Sequence, residues 1–180
     1  MDKKRLKRPA EFILKMLLVY AGWRLFKYLG EANENFLWGG WSSFKDIMGA
    51  SLSASTAFVL QLLGYNLTHY GRSVIVDGYP GIWIADLCLG IAPMVIFTGF
   101  VLVFGNNNRN KLWFIPLGLV LIYLTNVARF VALALVQIHH NDYFKVAHEK
   151  IYVTITYGLI FLLLMWWMNS LAFKKESAKA

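Results

Sequence analysis

The sequence predicts an all-α polytopic membrane protein of about four transmembrane helices. One further helix lies at the outer face, interfacial or re-entrant, beside a short external β-hairpin. Three observations predict this. Of 180 residues, 58% are hydrophobic and 16% aromatic, whereas soluble domains sit at about 45–50% apolar. Several apolar runs approach the roughly 20 residues that cross a bilayer. Basic residues flank those runs: Lys3, Lys4, Arg5, Lys7 and Arg8 at the start, Arg109 and Lys111 between two runs, and Lys174, Lys175 and Lys179 at the end. Such clusters mark the cytoplasmic side. They account for the net charge of +8 without a nucleic-acid partner.

The elements follow in order. Residues 12–28 form a first crossing helix, interrupted by Lys15, Arg24 and Lys27. Those charges, and the lack of a small-residue cleavage site, argue against a cleavable signal peptide. Residues 29–46 carry Trp38, Trp41 and Gly39-Gly40, which is interface and turn chemistry. Residues 47–64 are helical in length but diluted by Ser51, Ser53, Ser55 and Thr56. In residues 65–86, two alternating runs surround Asp77-Gly78 and Pro80-Gly81. Val74 and Val76 pair in pattern with Ile82 and Ile84, which reads as a hairpin. An open hairpin in lipid would leave backbone groups unsatisfied, so it belongs outside.

Three strong crossing segments come next: 88–104, 112–137 and 150–171. The linker "GNNNRNK" is basic and belongs inside. The linker "HHNDYFKVAHE" has one Lys and two acids and belongs outside. Cys88 then falls at the outer face. If 12–28 and 47–64 both crossed, Cys88 would face inward, against the loop charges. The expectation is therefore that 47–64 stays at the outer interface or dips in and returns. No repeat is evident, so 1–180 reads as one integral membrane domain. Its parts are an N-terminal tail, helix and outer loop (1–46), a peripheral helix and hairpin (47–87), a three-helix core (88–171) and a cytoplasmic basic tail (172–180).

Arg129 is the most informative residue for function. It sits in "IYLTNVARFVALALV", inside a crossing segment. A charge there costs about 2.5–3.5 kcal/mol on insertion scales and faces a bundle interior or a wet cavity. Asn126, three residues earlier, shares its helix face. Cys88 is the only cysteine, so it is a free thiol or an intermolecular one. His148 opens the last crossing segment on the same side. A Cys–His pair generates a thiolate near neutral pH, and a fixed cation lowers a thiol pKa or holds an oxyanion. Blander readings stand beside this one. Cys88 packs as a small hydrophobe, His148 is structural, and Arg129 snorkels or pairs with Asp86. Asp86 either orients His148, pairs with Arg129, or ends a hairpin strand. His139 and His140 compete for the base role or bind a metal weakly; an adjacent His pair without Cys or acid spacing is a poor metal signature. No metal or cofactor is implied.

A Cys after a short outside hairpin, N-x-x-R in the following helix ("NVAR") and a His opening the next ("KVAHE") resemble the exosortase/archaeosortase family. These are membrane-embedded protein-sorting enzymes, and the likeness covers roughly residues 55–171. It is greatest to the short forms of Bacteroidetes-type bacteria. The resemblance implies that Cys88 is the nucleophile and that Arg129 and His148 complete the site. It implies substrates that are exported proteins ending in a short motif, a transmembrane helix and a basic tail, with a glycan or lipid as acceptor. One departure stands out. The family's common C-S-G is here Cys88-Leu89-Gly90, which puts substrate preference in question more than the nucleophile.

The expected function is a multi-pass cysteine protease or transpeptidase of the cytoplasmic (inner) membrane. It would cleave C-terminal sorting signals at the outer face, with Asp86 and Asn126 orienting the substrate. An alternative is a non-catalytic accessory subunit of an envelope or exopolysaccharide assembly system, with Arg129 and Asp86 as a buried pair. A small transporter using Arg129 as an anion site gives Cys88 and His148 no reason to sit together.

Overall fold

The computed structural model describes residues 14, 17–28, 36–104, 108–139 and 152–171. Residues 17–28 form helix α1. Helix α2 spans Phe36–Leu62, and strands β1 (Leu67–Tyr70), β2 (Ser73–Val76) and β3 (Ile82–Trp83) follow. A 3₁₀ turn, Asp86–Cys88, leads to helices α3 (Ile91–Val103) and α4 (Asn108–His139). Helix α5 (Tyr152–Trp166) ends in a π-helical turn, Trp167–Leu171. The loop basics of the N-terminus and tail, and most of the 139–149 linker, lie outside the described residues.

Helix α4 is the spine. Arg109–His139 has a mean hydropathy of 2.1 and, among the described residues, is the one helix long and apolar enough to cross a membrane. Shorter apolar helices cover Ile91–Val103 and Thr154–Asn169. Arg109 and Lys111, expected in a loop, lie in the first turn of α4. Lys111 Nζ donates to the Leu102 carbonyl at 2.9 Å, and Trp167 Nε1 donates to the Phe104 carbonyl at 2.9 Å. The C-terminal end of α3, whose carbonyls have no intrahelical donors, is thus served by two neighbouring segments. Around it packs a first core of Phe97, Phe100, Phe114, Ile122, Ile160 and Trp167.

The second core lies along the other half of α4. Val127, Phe130, Val131, Leu133 and Ala134 meet Leu52 and Leu60 of α2 and Val74, Val76, Ile82 and Ile84 of the sheet. The expected hairpin is present: β2 pairs antiparallel with β3, Val74 opposite Ile82. The sheet has a further strand that the alternation does not reveal. β1 pairs with β2, Tyr70 opposite Ser73, giving the order β1-β2-β3. Its side chains are mostly exposed, so no apolar alternation marks it. The local signal is the two-residue link Gly71-Arg72. Gly71 has φ 52 while Arg72 stays at negative φ, as a type II′ turn requires.

Helix α2 corrects the expected boundary at residue 47. It begins at Phe36 and runs through Gly39-Gly40, so there is no turn there. Trp41 packs edge-on against Trp23 and Phe26 of α1, with ring centroids 6.1 and 5.3 Å away. These contacts carry the helix across two residues of poor propensity. The serines that dilute its apolar pattern are all engaged. Ser53 Oγ donates to the Ser73 carbonyl at 3.0 Å, while Ser51 and Ser55 share the Tyr123 hydroxyl of α4 at 2.7 and 3.0 Å.

Close packing of α3 on α4 depends on Gly118. A Cβ there would stand 2.1–2.2 Å from the tip of the Phe97 ring. Phe97 is fully buried and packs on Phe114, so the ring has no free path of retreat. Overpacking of this kind costs about 1–3 kcal/mol. Gly118→Ala is expected to lower the thermal midpoint of the detergent-solubilised protein. Gly158→Ala, where a Cβ meets nothing within 4 Å, is expected to leave it unchanged or raise it slightly, as the helix propensities dictate. Paired melting curves check both.

Candidate functional site

Cys88 is not on α3. It closes the three-residue 3₁₀ turn and is buried, 8% exposed. Gly90, at φ 77, separates the turn from α3. That left-handed conformation suits glycine, and a Cβ there would stand 3.0 Å from Asn126 Nδ2. Pro93 sits in the first turn of α3, where its missing N–H leaves no bond unmade. The sequence therefore closes the 3₁₀ turn at Cys88 and begins α3 just after it, at Ile91.

Helix α4 reaches this turn with two side chains from one face. Asn126 is 3% exposed and donates from Nδ2 to the Cys88 carbonyl at 2.9 Å. Arg129 Nη2 points at Cys88 Sγ at 3.6 Å, within reach of a sulfur acceptor. The guanidinium also lies 5.7 Å from the ring centroid of Phe130. The structure thus brings together Cys88, Arg129 and Asn126. Asn126 holds the backbone of the cysteine. His148 and His140 lie outside the described residues. His139 is elsewhere, with Nε2 3.1 Å from the Tyr65 hydroxyl.

Asp86 is held by two cations. Its carboxylate is bound by Arg72 Nη1 from the β1–β2 turn and by Lys45 Nζ of α2 at 2.5 Å. Arg72 Nη2 also reaches Asp46 at 2.8 Å. The expected pairing of Asp86 with Arg129 does not form; the cations beside Asp86 come from α2 and the sheet. Lys45 and Arg72 were not legible as site residues, because their partners are 41 and 14 positions away in sequence. The hydrogen bonds from Arg72 first, then Lys45, hold the Asp86 carboxyl below its ordinary value of 3.8. Beside these charges opens a groove of about 860 Å³, lined by Ser42, Lys45, Arg72, Tyr70, Trp83 and Asp86 among others.

Leu89, where the resembled family commonly has Ser, is fully buried in the second core. The position is a packing position, in the same core that takes in Cys88.

A family model described as transmembrane exosortase matches residues 11–168. The chain belongs to the exosortase family. It is a membrane protein of exosortase type, and the match takes in α1 and α2 as well as the segment that carries the sequence resemblance. No curated protein and no solved structure matches the chain. The exosortase assignment therefore rests on the family model, and the geometry above is this chain's own.

Two outcomes follow from the site's surroundings. Leu89→Ser trades a filled core position for a cavity and a hydroxyl, and should cost about 2–5 kcal/mol as buried Leu truncations do; a denaturation midpoint well below wild type checks it. The second concerns acid. A carboxyl whose folded pKa is lowered adds stability that is complete above its ordinary value and is lost as pH falls through the folded value. The stability gap between wild type and Asp86→Ala should therefore be constant from neutral pH to about 3.8 and shrink only below that, as melting curves across pH will show.

Proposed function

We propose that this exosortase acts as a membrane-embedded cysteine protease or transpeptidase on exported proteins. Its site would be Cys88, Arg129 and His148, at the outer face of the cytoplasmic membrane. The observation that carries the reading is the contact between Arg129 Nη2 and Cys88 Sγ, 3.6 Å. A guanidinium is a fixed cation, and at that distance it stands where negative charge develops as the sulfur attacks a carbonyl. Asn126 fixes the cysteine backbone through its carbonyl, so the thiol meets the cation without searching.

Depth agrees with this reading. Arg129 stands about 32 Å along α4 from Asn108, at 1.5 Å per residue. If the basic first turn of α4 is inside, a core of about 30 Å would put Arg129 and Cys88 at the outer boundary. The substrate is an exported protein anchored by a C-terminal transmembrane helix, whose scissile peptide emerges from the bilayer at that level.

The chemistry has two halves. His148 takes the thiol proton, and the sulfur attacks the scissile carbonyl carbon. Arg129 bears the charge that develops on the carbonyl oxygen. The C–N bond then breaks, the amine leaves with the proton from His148, and a thioester to Cys88 remains. Attack on the thioester by water completes a protease cycle. Attack by a hydroxyl or amine of a glycan or lipid completes a transfer. No metal or cofactor enters either half.

The test is complementation in cells lacking the chain, with exported membrane-anchored proteins followed by mass spectrometry. Cys88→Ser should insert at normal abundance and leave uncleaved precursors in the membrane. Arg129→Lys should slow processing about 10²–10³-fold, the usual cost of a lost oxyanion contact. Full processing by Cys88→Ser, with loss of processing on deletion, would instead favour an accessory subunit.

A further inference from the structure

Cys88 sits on a turn of three residues, too short to hold its own position. Asn126 fixes its C-terminal side through the Cys88 carbonyl. The other end is Asp86, held by Arg72 and Lys45. Arg72 is itself confined. Its side chain is 13% exposed and is bridged to Asp46 by Nη2 at 2.8 Å. It lies across Gly49, where a Cβ would stand 2.7 Å from Arg72 Cγ and 2.9 Å from both Cδ and Nε. A contact under 3 Å along the middle of a clamped side chain cannot be relieved by swinging its far end. The bare backbone at Gly49 is thus the slot in which Arg72 runs from α2 to Asp86.

We propose that Gly49 and Arg72 are positioning residues for the nucleophile. The slot in α2 lets Arg72 pull Asp86 into place, and with it the turn that presents the Cys88 thiol to Arg129. This rests on the reading of Cys88 as an Arg129-assisted nucleophile. It assigns a part in the reaction to α2 and the β1–β2 turn, acting through Asp86. Lys45 is a second tether on the same carboxylate, and Asp46 keeps the other arm of Arg72 from following Asp86.

The single cysteine supplies a readout that needs no substrate. The rate of alkylation of Cys88 by iodoacetamide is measured at one near-neutral pH on the full-length protein in detergent. The variants are wild type, Gly49→Ala, Arg72→Gln, Asp86→Ala and, as a control in the β2–β3 turn, Asp77→Asn. Gly49→Ala keeps every charge, so a change in its rate comes from displacement alone. Asp86→Ala separates the two effects by sign. Losing a nearby negative charge would speed alkylation, whereas losing the tether slows it by moving the thiol off Arg129. The result expected is a rate about tenfold lower in Gly49→Ala, Arg72→Gln and Asp86→Ala, and an unchanged rate in Asp77→Asn. Rates equal to wild type in variants that retain their helical circular dichroism and melting transition overturn the proposal. So does faster alkylation in Asp86→Ala. If Gly49→Ala does not fold, Arg72→Gln and Asp86→Ala decide alone. Arg129→Gln tests the nucleophile reading separately: a rate equal to wild type there counts against that reading, while the positioning role is still judged by the rates of the other variants.

Discussion

The hydrogen bond from Asn126 Nδ2 to the Cys88 carbonyl, at 2.9 Å, joins two halves of the molecule that are built differently. On one side of it, α3, α4 and α5 pack around aromatic residues such as Phe97, Phe114 and Trp167. On the other, α2 and the three-stranded sheet pack on the rest of α4. The chain passes between these halves at Cys88. Asn126 is buried at the same boundary, and a buried amide without a partner would cost about 1–3 kcal/mol. The Cys88 carbonyl meets that demand, so the packing of α4 and the position of Cys88 are coupled through one bond. Gly90 completes the arrangement by leaving room for the amide.

Small side chains recur wherever two elements must come close. Gly118 receives the Phe97 ring, Gly99 receives Val19 of α1, and Gly49 receives Arg72. In a bilayer, apolar burial does not drive helices together, so close packing and hydrogen bonds must do so. The same logic explains the serines of α2. They lower its hydropathy, yet Ser51, Ser53 and Ser55 each tie the helix to α4 or to the sheet. These three serines are cross-links to neighbours, and the helix has no apolar run comparable to that of α4.

How much of this is legible in the sequence depends on the range of the cause. Helix α4 is legible because its apolar run is long, and the β2–β3 pairing because Val74, Val76, Ile82 and Ile84 alternate. The meeting of Cys88 with Arg129 is legible in part. N-x-x-R puts Asn126 and Arg129 on one helix face, and both segments end at one level. The start of α2 at Phe36 is not legible, because Trp23 and Phe26 of another helix carry it through two glycines. β1 is hidden by its exposed side chains, although Gly71-Arg72 marks the turn that follows it. The partners of Asp86 are not legible, although Arg129 is one candidate. Only the folded chain brings Arg72 and Lys45 to it. Leu89 reads as a lost polar group until its side chain is found in the core.

The central claim is that Cys88 presents a reactive thiol beside Arg129 at the outer membrane face. The most direct measurement is labelling of intact cells, outer membrane permeabilised, with a charged methanethiosulfonate reagent that does not cross the inner membrane. The account predicts that Cys88, the sole cysteine, is modified from outside, and that Cys88→Ser gives no signal. Labelling that appears only after the inner membrane is opened would place the thiol on the cytoplasmic side and contradict the account.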